Sequence, residues 1–409
     1  MKTLLKKLCL AAVCLLAANT ATAYDFKSEG CYFNVISETD KTCGITYKEY
    51  SQPTYSGDFI IPFLVKDPLG IYYEVVGIDE WAFYNCTNLT SVTIPESVTD
   101  IGIEAFRNCT SLTNVTIPQS VTYISDFTFY GCTSLTSVTI PESVTKICLL
   151  AFSNCTSLTN VTIPQSVTYI SDFAFENCTS LTNVTVPESV TTFCLSAFSG
   201  CENIKDFYIE DGLIPMEIKQ GGTNVMNFFK ELYIGRSLIP CLFYNPSADQ
   251  SFINEHTGLE KVTFSQFVTS VADIGMYNAK NLKTVVVRGG TPPTITDDFF
   301  SFDQYNNATL YVPEGTTDTY AKATGWRYFY NIVEGMPTGV SQVESPAKTT
   351  VTAGDGCIMV SNAKGAIQVY TPAGTLVKSA TASGDAEITV PGHGVYIVKT
   401  GGETVKVSL

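Results

Sequence analysis

Histidine is nearly absent from this chain of 409 residues, which contains only His256 and His393. The two are far apart in the sequence, and neither has an acidic residue at a spacing typical of a catalytic or metal site. A nucleophilic triad of the usual kind needs a histidine base that is oriented by a carboxylate. The sequence therefore predicts no histidine-based catalytic centre, no metal site and no bound cofactor.

Basic residues are also scarce and are not clustered beyond the amino terminus. The chain has 24 Lys and Arg against 39 Asp and Glu, which gives a formal net charge of −15 at pH 7. Affinity for nucleic acid depends on Lys and Arg side chains that neutralise phosphates. We therefore expect no nucleic-acid partner.

Long apolar runs are missing after the first residues. A spanning α-helix needs about 20 apolar residues, and no stretch beyond residue 23 approaches this length. The chain begins with three lysines, an apolar stretch at 8–18 and the A-x-A pattern at 21–23. This order is typical of a secretory signal peptide. We predict a signal peptide at residues 1–23, no transmembrane segment, and a protein that is secreted or displayed on the outer cell surface.

The most informative feature that is present is a repeat with a period of 23 residues. Cysteines recur at this single spacing: Cys86, Cys109, Cys132, Cys155, Cys178 and Cys201. A fixed period in the twenties is the sequence signature of a solenoid, in which each repeat forms one coil stacked on the previous coil. We predict regular coils over residues 77–205.

The structure of one coil can be predicted from residues 89–109. Val92 and Ile94 alternate with hydroxyl residues, which is typical of a short strand with an aliphatic inner face. Val98 and Ile101 then return a second apolar segment to the core. Proline ends the first strand because it has no N–H group to donate to a β-ladder, and it recurs at Pro95, Pro118, Pro141, Pro164 and Pro187. One phenylalanine per coil predicts a column of rings in the interior: Phe83, Phe106, Phe129, Phe152, Phe175 and Phe198.

The residues on either side of the regular coils predict further segments. Residues 24–76 contain short alternating runs and are interpreted as a β cap that covers the open edge of the first coil. Degenerate repeats and a C-terminal cap, with a short amphipathic helix at 320–329, are predicted over 206–334. A linker rich in Pro, Gly, Ser and Thr follows at 335–350, and alternating runs at 351–409 predict a small antiparallel β-sandwich. The predicted fold is a mainly β solenoid with few short helices, an N-terminal β cap and a small C-terminal β-sandwich domain.

The cysteines leave several states open. Buried core thiols are the interpretation that we favour for the ladder. Coils stacked at the ~4.8 Å strand spacing also bring neighbouring cysteines within reach of a disulfide, whereas a metal site normally needs clustered C-x-x-C spacings. Outside the ladder, Cys31 and Cys43 flank one predicted hairpin in an exported chain and are the best candidates for a disulfide.

The outward side of the first strand is the candidate ligand-binding surface. One column of its side chains consists of Thr93, Thr116, Thr139, Thr162 and Thr185, and beside it lie Asn114, Asn160 and Asn183. We interpret these columns as a flat hydrogen-bonding surface, with Tyr123 and Tyr169 as aromatic anchors at its rim. The alternative is that threonine simply suits a solvated strand.

The coil pattern L-x-x-V-x-I-P-x-x-V-x-x-I-x-x-x-A-F-x-x-C resembles the leucine-rich repeats of the BspA-like bacterial surface proteins. The flanking segments YSGDFIIP at 55–62 and LYVPEG at 310–315 also resemble signatures of that family. The resemblance implies a leucine-rich-repeat fold and a non-catalytic secreted or surface protein, and several members of the family are linked to attachment to host matrix proteins or to other bacteria. The tail, with GAIQVY at 365–370, resembles the C-terminal sorting domains that type IX secretion recognises.

Four Asn-Cys-Thr triplets match the rule for N-glycosylation: they begin at Asn85, Asn108, Asn154 and Asn177. Because the resemblance implies a bacterial source, we interpret these asparagines as corner residues. Their side chains are expected to satisfy backbone groups that a turn leaves unpaired.

Three functional hypotheses follow. The first is a binding protein without catalysis, an adhesin whose partner is an extracellular protein or glycan. The second is a surface carbohydrate-binding module. The third, a polysaccharide-cleaving enzyme, needs two carboxylates that face each other across ~5 to 10 Å. The repeat surface offers Thr and Asn where those carboxylates would have to be, so we predict that the protein is not an enzyme.

Overall fold

The computed structural model describes residues 24–50, 52–219, 229–240, 258–271, 274, 276–337, 350–353, 357–371, 376–390, 395–400 and 403–408. The chain separates into two compact units, and the division falls after Met336. The predicted signal peptide and most of the predicted linker lie outside the described residues.

The first unit begins with six strands and continues into the coils. The six strands are β1 (Phe26–Ser28), β2 (Cys31–Ser37), β3 (Thr42–Thr46), β4 (Gly57–Ile60), β5 (Leu64–Lys66) and β6 (Tyr72–Ile78). The regular coils contain β7 (Leu89–Thr93), β8 (Asp100–Ile101), β9 (Asn114–Thr116), β10 (Tyr123–Ile124), β11 (Ser137–Thr139), β12 (Lys146–Ile147), β13 (Tyr169–Ile170), β14 (Asn183–Val186) and β15 (Thr192–Cys194).

The later coils keep the same plan with longer connections. Their strands are β16 (Asp206–Ile209), β17 (Met216–Lys219), β18 (Glu231–Ile234), β19 (Leu238–Pro240), β20 (Lys261–Phe264), β21 (Thr284–Val287), β22 (Thr309–Val312) and β23 (Asn331–Glu334). Short helical elements are the 3₁₀ turns Leu195–Phe198 and Met276–Asn278 and the helices α1 (Phe302–Asn307) and α2 (Thr317–Tyr320).

These strands form two parallel sheets along the solenoid. The first sheet runs β4-β7-β9-β11 and resumes as β14-β16-β18-β20-β21-β22-β23, while residues 160–162 lie between the two parts without being paired as a strand. The second sheet runs β10-β12-β13-β15-β17-β19. In both sheets of the regular coils a residue pairs with its equivalent 23 positions later, as Thr116 does with Thr139 and Ile124 with Ile147. The period in the sequence is therefore the register of the sheets.

The cap pairs with the first coil through two strands. β1, β2, β3, β6 and β5 form one sheet in that order. β6 also pairs in parallel with β8, and β4 pairs in parallel with β7. The backbone groups at the amino-terminal edge of the first coil are thus hydrogen-bonded to the cap.

A column of phenylalanine rings runs through the coils, as predicted. The rings of Phe83, Phe106, Phe129, Phe152, Phe175 and Phe198 are all fully buried. Successive centroids are 4.8, 5.3, 5.3, 5.2 and 5.0 Å apart, with interplanar angles from 5° to 13°. Nearly parallel rings at this spacing contribute stacking energy beyond the burial of their area.

The ladder cysteines are buried free thiols. Five of them donate a hydrogen bond from Sγ to the carbonyl oxygen of the phenylalanine 26 residues earlier, at 3.1 to 3.2 Å: Cys109, Cys132, Cys155, Cys178 and Cys201. These bonds satisfy carbonyl groups inside the core. Burial raises the pKa of Cys109, Cys155 and Cys178 well above the ordinary value, so the thiol is strongly favoured over the thiolate.

The disulfide predicted between Cys31 and Cys43 is not formed. Both residues are free thiols, and the antiparallel register of β2 and β3 places Cys43 opposite Val35, not opposite Cys31. At about 3.4 Å per residue this offset separates the two Cα atoms by more than the ~7 Å that a disulfide tolerates.

The asparagine corners differ in detail from the prediction. Asn85, Asn108, Asn154 and Asn177 have left-handed backbones with φ from 54° to 61°, and Gly131 and Gly200 take the equivalent positions with φ of 72°. Asn108 Nδ2 donates to Asn85 Oδ1 at 3.0 Å, and Asn177 Nδ2 donates to Asn154 Oδ1 at 3.1 Å. These side chains therefore bond to one another across coils. Asparagine suits the position because it tolerates positive φ better than most residues.

The end of the first unit also differs from the prediction. The helix predicted at 320–329 is wrong, because α2 ends at Tyr320 and turns follow it. β23 then adds a further strand. The helix α1 was not predicted. It begins with a capping box in which Ser301 Oγ accepts from Gln304 N at 3.3 Å and Gln304 Oε1 accepts from Ser301 N at 2.8 Å.

The second unit is a small antiparallel β domain. Its strands are β24 (Thr350–Ala353), β25 (Cys357–Tyr370), β26 (Leu376–Thr389), β27 (Val395–Thr400) and β28 (Glu403–Ser408). They form one hydrogen-bonded sheet over a separate core that includes Ile358, Val369 and Val398. Within the described part of the whole chain, no helix has the length and apolar character needed to cross a bilayer.

Candidate functional site

The predicted outer column forms a continuous exposed surface on the first sheet. We call it the threonine face, and it consists of Thr93, Thr116, Thr139, Thr162, Thr185, Asn114, Asn160 and Asn183. All eight side chains are exposed. Thr116 lies directly opposite Thr139, and Thr185 lies in β14, where strand pairing resumes after the unpaired residues 160–162. Equivalent side chains therefore recur at the ~4.8 Å spacing of neighbouring strands.

The five threonine hydroxyls of this face have no hydrogen-bond partner among the described residues. The neighbouring column behaves differently. Thr113 Oγ1 donates to Thr90 O at 3.3 Å, and Thr136 Oγ1 donates to Thr113 O at 3.1 Å. One threonine column thus stabilises the stacking of coils, whereas the threonine face leaves its hydroxyl groups to solvent or to a ligand.

Both ends of the threonine face are closed by a change of side chain. At the amino-terminal end, the threonine column continues to Ile60, which pairs with Thr93 and is exposed. Beside it, Thr90 and Ser91 each donate a hydroxyl hydrogen bond to Asp58 Oδ1 at 2.8 Å. At the other end, Tyr208 and Tyr233 continue the column of Thr185 in register. Their rings are buried and stacked at 4.3 Å with an angle of 10°. The array of exposed hydroxyls is therefore confined to the regular coils.

Tyr123 and Tyr169 do not lie on the sheet that carries the threonine face. Tyr123 is in β10 and Tyr169 is in β13, both on the second sheet. The grouping predicted from the sequence is therefore not observed, because the two strands of a coil belong to different sheets. Tyr123 instead donates its hydroxyl to Asp100 Oδ1 at 2.5 Å. This bond, together with burial, raises the pKa of Tyr123 to about 12.

A second candidate site is a cleft of about 620 Å³ between the cap and the first coils of the second sheet. We call it the cap pocket. Its carboxylates are Asp79, Glu80, Asp100 and Asp126. Its aromatic rings are Tyr47, Trp81 and Tyr123.

One position of the repeat lines the cap pocket in four successive coils. Asp79, Gly102, Ser125 and Cys148 are equivalent residues of successive coils and all line the cleft. A Cβ atom at Gly102 would lie 2.5 Å from the backbone nitrogen of Glu80, so only glycine allows the chain to pass there. Glycine at this position therefore lets the backbone of Asp79 and Glu80 approach the next coil closely.

The carboxylates of the cap pocket are held in place but are not neutralised. Asn34 Nδ2 donates to Asp79 Oδ2 at 2.7 Å, and the backbone nitrogen of Leu149 donates to Asp126 Oδ1 at 2.9 Å. Each carboxylate keeps further acceptor positions after these bonds. None of the ion pairs between described residues includes a carboxylate of the pocket, and no Lys, Arg or His lines it. Burial raises the pKa of Asp79 above its ordinary value.

The rings of the pocket are fixed by an aromatic cluster beside it. The centroid of Trp81 lies 5.3 Å from that of Tyr50, with the rings at 81°. Tyr50 in turn lies 6.2 Å from Tyr47 and is stacked on Tyr84 at 6.0 Å. These edge and face contacts restrict the rings before any ligand arrives.

The cap pocket was missed at the level of sequence, and it corrects one inference made there. The repeats predict Thr and Asn where facing carboxylates would have to be, whereas the structure brings four carboxylates to one cleft. The sequence does contain a sign of the pocket. At this repeat position the later coils have Ser125 and Cys148, whereas the first two coils have Asp79 and Gly102. Among the described residues, no group of three or more His, Cys, Asp or Glu side chains is placed to hold a metal ion.

Comparison with known families supports the repeat assignment. Residues 74–215 match the family model for the BspA type leucine rich repeat region, in six copies. This match and the parallel pairing of the coils identify the fold as a leucine-rich-repeat solenoid. The resemblance of the tail to sorting domains stays a prediction. No match to this chain was found among curated proteins.

Three solved structures are similar to this chain. A leucine-rich repeat protein from Bacteroides ovatus is 21% identical, with 76% of this chain and 100% of that chain covered and a TM-score of 0.46. A leucine-rich repeat protein from T. pallidum is 27% identical, with 47% and 85% covered and a TM-score of 0.41. A leucine rich cell surface protein from Faecalibacterium prausnitzii is 20% identical, with 79% and 97% covered and a TM-score of 0.28.

Proposed function

We propose that this protein is secreted or displayed on the cell surface, and that it binds an extracellular protein through its threonine face without catalysing a reaction. The observation that carries this proposal is the column of five exposed threonine hydroxyls with no partner among the described residues. The signal-peptide pattern supports export, and the match of the repeats to a BspA-type region supports a binding role.

The length and the composition of the threonine face favour a protein ligand over a glycan ligand. Five coils at ~4.8 Å each extend the hydroxyl column over roughly 20 Å, which is comparable with the width of a standard protein–protein interface. Sites for small ligands are instead concave and are lined by aromatic and apolar side chains. The threonine face consists of exposed Thr and Asn side chains and includes no aromatic or aliphatic side chain.

The proposal is tested by placing long charged side chains on this face. The variant Thr116→Lys/Thr139→Lys is compared with Thr122→Lys/Thr145→Lys, which changes exposed threonines of the same coils away from the face. Both are assayed by interferometry against immobilised purified host matrix proteins and bacterial surface proteins. We expect the first variant to lose about tenfold or more in affinity, because bulk and charge at an interface centre disrupt packing and desolvation.

Three outcomes would contradict this function. Equal losses in the two variants would show that the threonine face has no special part in binding. Binding on a glycan array alone, sensitive to the same substitutions, would favour the carbohydrate-binding alternative. Release of products from a panel of host and plant polysaccharides would overturn the absence of catalysis.

A further inference from the structure

The cap pocket is of a size and charge that suit an organic cation. Its volume of about 620 Å³ lies within the ~300–1,000 Å³ range of small-ligand sites. Four carboxylates line it without a basic residue. A cleft lined by one sign of charge concentrates the electric field and attracts ligands of the opposite sign.

The described ion pairs leave this charge uncompensated. All six are formed elsewhere in the chain. Lys146 is the cation paired in register with Tyr123, but it does not line the cleft. The carboxylates are therefore available to a charge supplied from outside.

The aromatic rings narrow the choice of cation. Trp81, Tyr47 and Tyr123 line the same cleft as the carboxylates, and a cation above a ring face is attracted by the ring quadrupole. A guanidinium group can stack on a ring and at the same time donate two parallel hydrogen bonds to a carboxylate. A small metal ion fits less well, since the described carboxylates form no group able to coordinate one.

We propose that the cap pocket binds an arginine side chain of a protein partner, held between the carboxylates Asp100 and Asp126 and the ring of Trp81. The site is separate from the threonine face, because its coil residues lie in β8, in β10 and in the turns that follow the strands on that side of the coils. The two sites can therefore be disrupted independently.

Trp81 provides a direct readout of binding. The chain has two tryptophans, and the other one, Trp326, is fully buried in the carboxyl-terminal part of the first unit. The protein is titrated with the peptide acetyl-Gly-Arg-Gly-amide while tryptophan emission is recorded. We expect a saturable change that disappears in Trp81→Phe, and that weakens with added salt because the attraction is electrostatic.

Matched peptides and variants separate charge recognition from general adsorption. The citrulline peptide has nearly the same shape as the arginine peptide without its charge, and a lysine peptide tests whether the flat guanidinium is needed. Asp100→Asn/Asp126→Asn removes two charges while retaining the oxygens that accept from Tyr123 and Leu149. Asp172→Asn is the control, because Asp172 is equivalent to Asp126 two coils later and lies outside the pocket.

The expected result is that citrulline and the double Asn variant each weaken binding by about tenfold or more, since charge-assisted bonds are the strong ones, while Asp172→Asn binds normally. Circular dichroism and Trp326 emission check that the variants are folded. Equal binding of citrulline and arginine peptides, or no saturable change, would overturn the proposal. Saturable binding of maltotriose that is insensitive to the Asn substitutions would instead make the cleft a sugar site. Normal arginine binding by Thr116→Lys/Thr139→Lys would show that the cap pocket binds independently of the threonine face.

Discussion

The regular coils pass through the left-handed backbone region at two positions, one of them held by residues such as Glu104 and Leu150 and the other by the asparagine corners. The side chain at the asparagine corner decides how much strain that corner carries. Asn occupies this position in four coils and Gly in two. A residue with a Cβ atom and no local hydrogen bonding is disfavoured there by roughly 1–2 kcal/mol. The restriction of this corner to Asn and Gly in the regular coils is consistent with its left-handed backbone.

Asn154 allows this requirement to be separated from hydrogen bonding. Both Asn154→Ala and Asn154→Gly remove the bond from Asn177 Nδ2, so their difference reports the backbone alone. We expect Asn154→Gly to be more stable than Asn154→Ala by about 1 kcal/mol, which reverses the usual order of these residues in regular structure. Urea unfolding followed by circular dichroism measures this difference. A more stable alanine variant would contradict the strain argument.

At the scale of the element, the unit of this fold is one coil of two strands and a turn. A single coil has few internal long-range contacts, and its stability comes from the interfaces with its neighbours. The stacked phenylalanines and the Sγ to carbonyl bonds both cross from one coil to the next. Whole coils should therefore be removable, whereas fractions of a coil should not.

Deletion of residues 132–154 removes one period and joins Gly131 to Cys155. In the parent protein Cys155 follows Asn154, which is the corner residue equivalent to Gly131. We expect the shortened protein to keep its β-type circular dichroism per residue, because the remaining strands pair in the same register. Deletion of residues 132–142 removes about half a period and places apolar positions of one coil over polar positions of the next. We expect that variant to lose most of its folded signal. Similar behaviour of the two deletions would contradict the coil as the folding unit.

At the scale of the whole molecule, the buried thiols make stability depend on alkaline pH. In the unfolded chain cysteines ionise as the pH rises through the ordinary value of 9.0, whereas burial keeps Cys109, Cys155 and Cys178 protonated in the folded protein. The unfolded state then binds fewer protons, so the free energy of unfolding falls as the pH rises. This stabilising contribution is complete below pH 9 and is lost as the pH rises toward the folded pKa.

We expect the free energy of unfolding to fall between pH 9 and pH 10 by up to about 1.4 kcal/mol per buried thiol. The measurement is urea unfolding at pH 8, 9 and 10 in the presence of a reductant. The triple variant Cys109→Ala/Cys155→Ala/Cys178→Ala should be less stable at pH 8 because of its cavities, yet it should lose less stability with pH. Equal pH dependence of the two proteins would show that these thiols titrate normally when folded.

The repeat period determined most of the solenoid directly from the sequence. A strand whose apolar residues recur every 23 positions can bury them only by stacking in register, so the phenylalanine column followed from spacing alone. The spacing favoured buried thiols but left disulfides open, and the structure shows free thiols. Cys31 and Cys43 had no such constraint. Their separation depends on the register of one hairpin, which its turn type and loop length determine. This register places Cys43 opposite Val35, so the predicted disulfide was wrong.

Only the tertiary structure decided how different strands share a surface. The sequence predicted the exposure of Thr116 and Thr139, because alternation within a strand defines its two faces. It did not separate the sheet that carries Tyr123 from the sheet that carries the threonine face, since that depends on the turn between them. The cap pocket likewise joins Asp79, Asp100 and Asp126 from three coils with residues of the cap. A periodic sequence specifies that equivalent residues of successive coils stack on one another. The bend of the chain within each coil and the docking of a non-repeating cap depend instead on packing in three dimensions.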